Sequence, residues 1–264
     1  MFERTKNLRI SIIKQIELEA SKYPDMVSLA QGVPSFDTPE IIKRRVELAL
    51  RRGVLARYSL SPGLPELREL IEIDLAKSNM FYDWQEEILV TVGTIEAITA
   101  TIMAVANPGD EIIIPEPTYT SYREVITLAG CKTVPVPLDE SRAWAFDINK
   151  FESAITPKTK AIFFCNPNNP TGTVYSREEQ MKLAELAVKH DLFILTDEVY
   201  KEFLYDDKQI FSLAEVPELR KRVIRMYGFS KAYAMTGWRI GYLHSDTSVV
   251  KEIIKVHDSL VTCA

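Results

Sequence analysis

The sequence predicts an α/β fold in which a mostly parallel sheet is sandwiched between helices. Three observations predict it. From Ile88 onward, short continuous apolar runs alternate with helical patterns, as strands buried on both faces do. The polar residues of most chemical interest fall just after those runs, and such sheets bind ligands beyond the carboxyl ends of their strands. The 264 residues are 46% hydrophobic, enough to bury a substantial core.

The elements follow in order. Leu8–Ser21 is amphipathic with helical spacing and leads to an extended Val27–Ala30. Thr38–Arg52 reads as a helix with Pro39 in its first turn, and Leu64–Ser78 as another started by Pro65. The alternating region then gives strand Ile88–Val92, helix Ile95–Ala106, strand Glu111–Ile114, helix Ser121–Leu128, strand Thr133–Val136 and short helix Ile148–Ala154. It continues with strand Ala161–Cys165, helix Arg177–His190, and strands Leu192–Thr196, Val223–Tyr227 and Trp238–Leu243. A helix and its following loop over Ser248–Ala264 close the chain.

Composition narrows the partners. Lysine and arginine number 32 against 37 aspartates and glutamates, and the formal charge of −5 argues against nucleic acid. No apolar run is long enough to span a bilayer, so no membrane partner is expected. Phe2–Ile10 carries four charges and is not a signal-peptide core. Cys131, Cys165 and Cys263 are odd in number and widely spaced, which suits a reduced, cytoplasmic protein. His190, His244 and His257 have no metal-ligand spacing, so no metal is expected.

Five segments carry the chemistry. Gly228–Tyr242 reads Gly-Phe-Ser-Lys-Ala-Tyr-Ala-Met-Thr-Gly-Trp-Arg-Ile-Gly-Tyr. Most lysines are solvated, but Lys231 has little charge nearby. It is a candidate for a desolvated amine with a lowered pKa, usable as a nucleophile. Ser230 and Arg239 are candidate anion ligands. In Thr91-Val-Gly-Thr-Ile-Glu-Ala a strand ends at Gly93 and a helix opens, offering free N–H groups to an anion. Many strand–helix turns share that composition. Pro115-Glu-Pro-Thr-Tyr-Thr-Ser-Tyr is a rigid strand exit presenting aromatics, or simply a packed loop. Asn166-Pro-Asn-Asn-Pro-Thr-Gly admits neither helix nor ladder and is at the least a turn. Thr196-Asp-Glu-Val-Tyr puts Asp197 after a wholly apolar strand, where a carboxylate is costly unless paired. A cap or a salt bridge would also account for it.

The lysine stretch resembles the lysine signature of class I/II aminotransferases, the pyridoxal 5′-phosphate (PLP) enzymes of fold type I. The other segments match that family in order between residues 27 and 243. The resemblance implies that Lys231 forms the Schiff base with PLP. It implies that Gly93, Thr94, Ile95, Ser230 and Arg239 hold the phosphate, and that Tyr119 and Val199 flank the ring. Asp197 would pair with the pyridine nitrogen and make the cofactor an electron sink, while Asn169 and Tyr200 would donate to the phenolic oxygen. Lys231 would then carry the proton as base and acid. Upstream, Leu29-Ala-Gln-Gly-Val-Pro supplies Gly32 near the substrate carboxylate, with Asn169 also on the substrate side. Arg57-Tyr-Ser-Leu-Ser-Pro-Gly-Leu-Pro-Glu-Leu-Arg supplies Tyr58 to the phosphate of a neighbouring subunit, which implies a homodimer.

The implied activity is transfer of an amino group between an amino acid and a 2-oxo acid. Elimination (a C–S lyase), aminocyclopropane-carboxylate synthesis and a PLP-binding remnant of low activity use the same cofactor site and stay open. In domain terms, residues 1–40 read as an N-terminal arm or small-domain segment and residues 41–264 as the PLP-binding large domain. Against the family, that large domain reads as incomplete at its C-terminal end, with the small C-terminal domain largely missing. No arginine follows Arg239 to clamp a substrate carboxylate, so weak PLP binding and poor turnover are expected of this chain alone. Gly228 stands where some relatives carry a serine.

Overall fold

The structure, a computed structural model, describes residues 5, 6 and 8–264. The stretch Phe2–Ile10, read above as unlike a signal peptide, lies partly outside the described residues. In chain order come α1 (Ile12–Ala20), α2 (Glu40–Arg51), α3 (Pro65–Ala76), β1 (Ile88–Thr91), α4 (Thr94–Val105), β2 (Glu111–Glu116), α5 (Ser121–Leu128) and β3 (Lys132–Pro137). There follow α6 (Ile148–Ala154), β4 (Thr159–Cys165), α7 (Arg177–Lys189), β5 (Phe193–Asp197), β6 (Val223–Gly228), β7 (Gly241–His244) and α8 (Thr247–Val261).

The seven strands form one sheet in the order β1-β7-β6-β5-β4-β2-β3. Only β7 runs against its neighbours; it is antiparallel to both β1 and β6, and the other pairs are parallel. Two reversals cancel, so β1 points the same way as the parallel strands. The carboxyl ends at Thr91, Glu116, Cys165, Asp197 and Gly228 therefore share one edge of the sheet with the start of β7 at Gly241.

Strand side chains alternate between two cores. Leu89, Ile112, Ile114, Phe163, Cys165, Leu195, Ile224 and Leu243 pack under α4, α5 and α8. Ile88, Val90, Ile113, Ile162, Phe164, Ile194, Val223 and Tyr242 pack with α3, α6 and α7 on the other face. Asp197 is in phase with Leu195, which aims it to the α4–α5–α8 side. α7 begins with a reciprocal cap, Ser176 accepting from Glu179 N and Glu179 accepting from Ser176 N.

Several boundaries differ from the sequence reading. Helix α1 starts at Ile12, and Val27–Ala30 pairs with no strand; Val27 and Leu29 are 83% and 93% exposed. Helix α2 starts at Glu40 because Pro39 is extended at φ −49°, ψ 135° and caps rather than opens it. Strand β7 begins only at Gly241, since Thr236–Trp238 closes a 3-10 turn and Arg239 takes a left-handed φ of 57°. Thr38 is the only buried residue described before Gly63. Its hydroxyl donates to Ala234 O at 2.6 Å and accepts from Trp238 Nε1 at 3.0 Å, tying the N-terminal segment to the lysine loop. No helix among the described residues is long and apolar enough to cross a membrane. None of them form a group of three or more His, Cys, Asp or Glu side chains placed to hold a metal.

Candidate active site

The common strand edge collects the residues singled out by sequence. At its centre lies Asp197, 5% exposed. Tyr122 of α5 donates its hydroxyl to Oδ2 at 2.7 Å, and the backbone N–H of Val199 donates to Oδ1 at 3.1 Å. Both donors are neutral, and Asp197 makes no ion pair among the described residues. Burial pushes its pKa up to about 6, while the Tyr122 and Val199 bonds pull the other way.

Lys231 is half-buried in the loop after β6. Its amine donates to Gly32 O at 2.5 Å and lies 5.9 Å from the centre of the Tyr200 ring. Burial lowers its pKa, and the nearby Asp197 carboxylate partly offsets this. Asn169 Nδ2 donates to the Tyr200 hydroxyl oxygen at 3.1 Å, so the phenol keeps its own proton free to donate elsewhere.

The turn from β1 into α4 is built on close approach. Gly93 has φ +73°, and a Cβ there would lie 2.6 Å from a guanidinium nitrogen of Arg239. A Cβ on Gly241 would lie 2.8 Å from Thr94 N and 2.9 Å from the Gly93 carbonyl carbon. A Cβ on Gly228 would run into the Thr94 hydroxyl. Thr94 thus fills the space that the glycine at 228 leaves. Arg239 is further fixed by donation from Nη1 to Thr236 O at 2.8 Å.

The 166–172 turn is held from within. Asn166 Oδ1 accepts from Tyr175 N at 3.0 Å, Asn168 Nδ2 donates to Pro117 O at 3.2 Å and to Thr171 Oγ1 at 2.9 Å, and Gly172 N donates to Asn168 O at 2.8 Å. Asn169 is left to face Tyr200. Tyr119 packs edge-on to Tyr122 at 5.4 Å, and Val199 is buried beside Gly228.

The family model for class I and II aminotransferases matches residues 24–264. The chain belongs to that family. It is 37% identical over its whole length to an aspartate aminotransferase of Pyrococcus abyssi, covering 68% of that protein. It is 40% identical over 93% of its length to a putative aminotransferase of Bacillus subtilis, covering 63% of it. The structure of an aspartate aminotransferase from Thermus thermophilus with maleate superposes with a TM-score of 0.94 at 35% identity, over all of this chain and 69% of that one. The chain spans 63–69% of the length of these relatives.

The class I and II aminotransferases are PLP enzymes, and the residues present suit that cofactor. A buried carboxylate with two neutral donors lacks the cation that a protonated pyridine nitrogen would supply. A half-buried amine lies in the same cleft. The α4 amino terminus, with Arg239 against Gly93, has the charge that a phosphate requires, and its Thr94 and Ile95 N–H groups have no partner among the described residues, whereas the Gly93 N–H donates to Thr91 O at 2.8 Å. Gly93, Thr94, Ile95, Tyr119, Asn169, Asp197, Val199, Tyr200, Ser230, Lys231 and Arg239 all lie at or just beyond this strand edge. Gly32 is brought to the lysine amine through its carbonyl. Tyr58 is 86% exposed and is not packed into the cleft of its own chain.

Sequence reading assigned no role to Tyr122, Asn166, Asn168 or Glu96. The two asparagines stood in a quoted motif, and their side-chain bonds follow from the tendency of Asn to satisfy turns. Tyr122 carried one usable signal: it is the second tyrosine of the quoted Pro115–Tyr122 segment and opens the first turn of α5 just beyond Tyr119.

Proposed function

We propose that this chain is the cofactor-binding part of an aminotransferase that moves an amino group from an amino acid to a 2-oxo acid, with Lys231 as its working amine. The observation that carries this reading is the sharing of one cleft by the half-buried Lys231 amine and the buried Asp197 carboxylate, which makes no ion pair among the described residues. Bound in that cleft, PLP supplies an electron-withdrawing ring that acidifies the α C–H of an amino acid joined to it.

The chain's own residues do the rest. Asp197, ionised and anchored by Tyr122, holds the proton on the ring nitrogen. Tyr119 and Val199 bound the ring faces. Tyr200 donates its phenol proton to the phenolic oxygen, and Asn169 assists from the other side of that bond. The N–H groups of Thr94 and Ile95, in the turn that Gly93 opens, hold the phosphate with Ser230 and Arg239. The Lys231 amine, made easier to deprotonate by burial, takes the proton from Cα and returns it as an acid. Gly32 and Asn169 border the substrate carboxylate.

The exposed Tyr58 fits a role in a second copy of the chain, so we infer a homodimer in which each Tyr58 reaches its neighbour's phosphate site. Residues 1–40 form the arm and residues 41–264 the cofactor-binding domain. Three unpaired cysteines support a reducing, cytoplasmic setting.

The test is to load the purified chain with PLP, supply single amino acids with a 2-oxo acid, and measure new 2-oxo acid, new amino acid and ammonia separately. Transfer without ammonia is expected. Ammonia released in step with 2-oxo acid would make the chain an elimination enzyme instead.

A further inference from the structure

Helix α4 opens with a second negative group. The turn that would hold a phosphate dianion is followed directly by a buried carboxylate, Glu96, only 8% exposed. Its Oε2 accepts from Val92 N at 3.2 Å, so the charge lies on the turn itself. A carboxylate suits the dipole at the start of a helix, but an uncompensated one there would repel a phosphate bound at the same turn.

The compensation comes from α8, which packs on α4. His257 is fully buried, and its Nδ1 lies 3.1 and 3.2 Å from the two oxygens of Glu96. Its Nε2 lies 3.0 Å from Ser61 O. Against an ionised Glu96 and a backbone carbonyl, which only accept, both ring nitrogens donate and the ring is an imidazolium. The third group nearby is Asp258, which accepts from Ser61 Oγ at 3.0 Å and so belongs to the same knot. His257 therefore joins α8, the α4 turn and the segment that carries Tyr58, which lies three residues before Ser61.

We propose that His257 is a positioning residue of the cofactor site: as an imidazolium it neutralises Glu96 and so permits a phosphate to bind at the Gly93–Ile95 turn. The inference rests on the reading of that turn as the phosphate site. It assigns His257 no contact with cofactor or substrate, and it makes phosphate affinity depend on α8.

The experiment compares PLP with pyridoxal, which has the same ring and aldehyde but no phosphate, by equilibrium binding to the wild-type chain and to His257→Gln, Glu96→Gln and the double variant. His257→Gln is expected to weaken PLP binding about tenfold or more while moving pyridoxal little. Glu96→Gln keeps PLP affinity, and the double variant returns it to within about threefold of wild type. A wild-type nitrogen-15 histidine spectrum, which needs no variant, is expected to show both nitrogens of His257 protonated. Equal losses for PLP and pyridoxal, failure of Glu96→Gln to rescue, or one bare ring nitrogen would each overturn the proposal. If the wild-type chain takes up neither ligand, the cofactor reading itself fails and this inference falls with it, whatever the spectrum shows.

Discussion

The phenol of Tyr122 donates to Oδ2 of Asp197 at 2.7 Å, across 75 positions of sequence. It is one of two donors to a carboxylate buried at the end of β5, and neither is a cation. The bond joins helix α5 to the middle of the sheet and holds the acidity of Asp197 at about 6, below where burial alone would put it.

Tyr122→Phe removes that donor. A hydrogen bond to a charged group is worth about 1.5–3 kcal/mol, so the unliganded protein should lose about that much at pH 8. The pKa of Asp197 should rise further, moving the acid limb of the pH–activity profile to higher pH. Urea unfolding and the profile check both; an unmoved limb would count against the assigned role.

Asp197→Asn separates stability from function. The folded pKa, about 6, lies above the ordinary 3.8. The folded state therefore holds the proton longer, and stability present below the unfolded pKa is lost as pH rises through the folded one. Asparagine never ionises. The variant without cofactor should match wild type near pH 4, gain between pH 4 and 6, and level off about 3 kcal/mol more stable, while losing transamination. Denaturation at several pH values tests the sign; a flat difference would reject it.

Gly241→Ala puts a methyl 2.8 Å from Thr94 N and 2.9 Å from Gly93 C, both backbone atoms. Overpacking of this kind costs about 1–3 kcal/mol, and PLP affinity should fall because the displaced atoms belong to the phosphate turn. Gly237→Ala is the control, since its methyl meets nothing within 4 Å and it should leave both quantities near wild type. Equal effects would remove the argument for close approach.

What could be read in sequence was whatever chemistry forced into adjacency. An apolar run that stops at Asp197, a helix opened by Gly93-Thr94, and a turn rich in Asn and Pro all announce themselves locally, because burial, capping and ring closure act over a few residues. The partners of those groups did not. Tyr122 meets Asp197, and His257 meets Glu96 across 161 positions, only because strand order brings α5 and α8 over the same face. The late start of β7 was hidden for a related reason. Trp238–Leu243 looks like a strand, but the left-handed Arg239 breaks it so that the guanidinium lies against Gly93.

Tyr58→Phe should weaken PLP binding through the neighbouring chain. Mixing it with Lys231→Ala tests this, since a mixed dimer pairs the intact Lys231 of one copy with the intact Tyr58 of the other. Recovery of wild-type affinity in a fraction of sites is expected. No recovery on mixing would argue against a shared site.

The central claim is that the Lys231 amine, eased toward its neutral form by burial against the opposing pull of Asp197, is the group that takes the cofactor. The most direct measurement is borohydride reduction of the PLP-loaded chain, proteolysis and mass mapping. The account predicts one cofactor-derived adduct, on Lys231, absent from Lys231→Ala although that variant still binds PLP. An adduct spread over surface lysines, or one retained in Lys231→Ala, would contradict it.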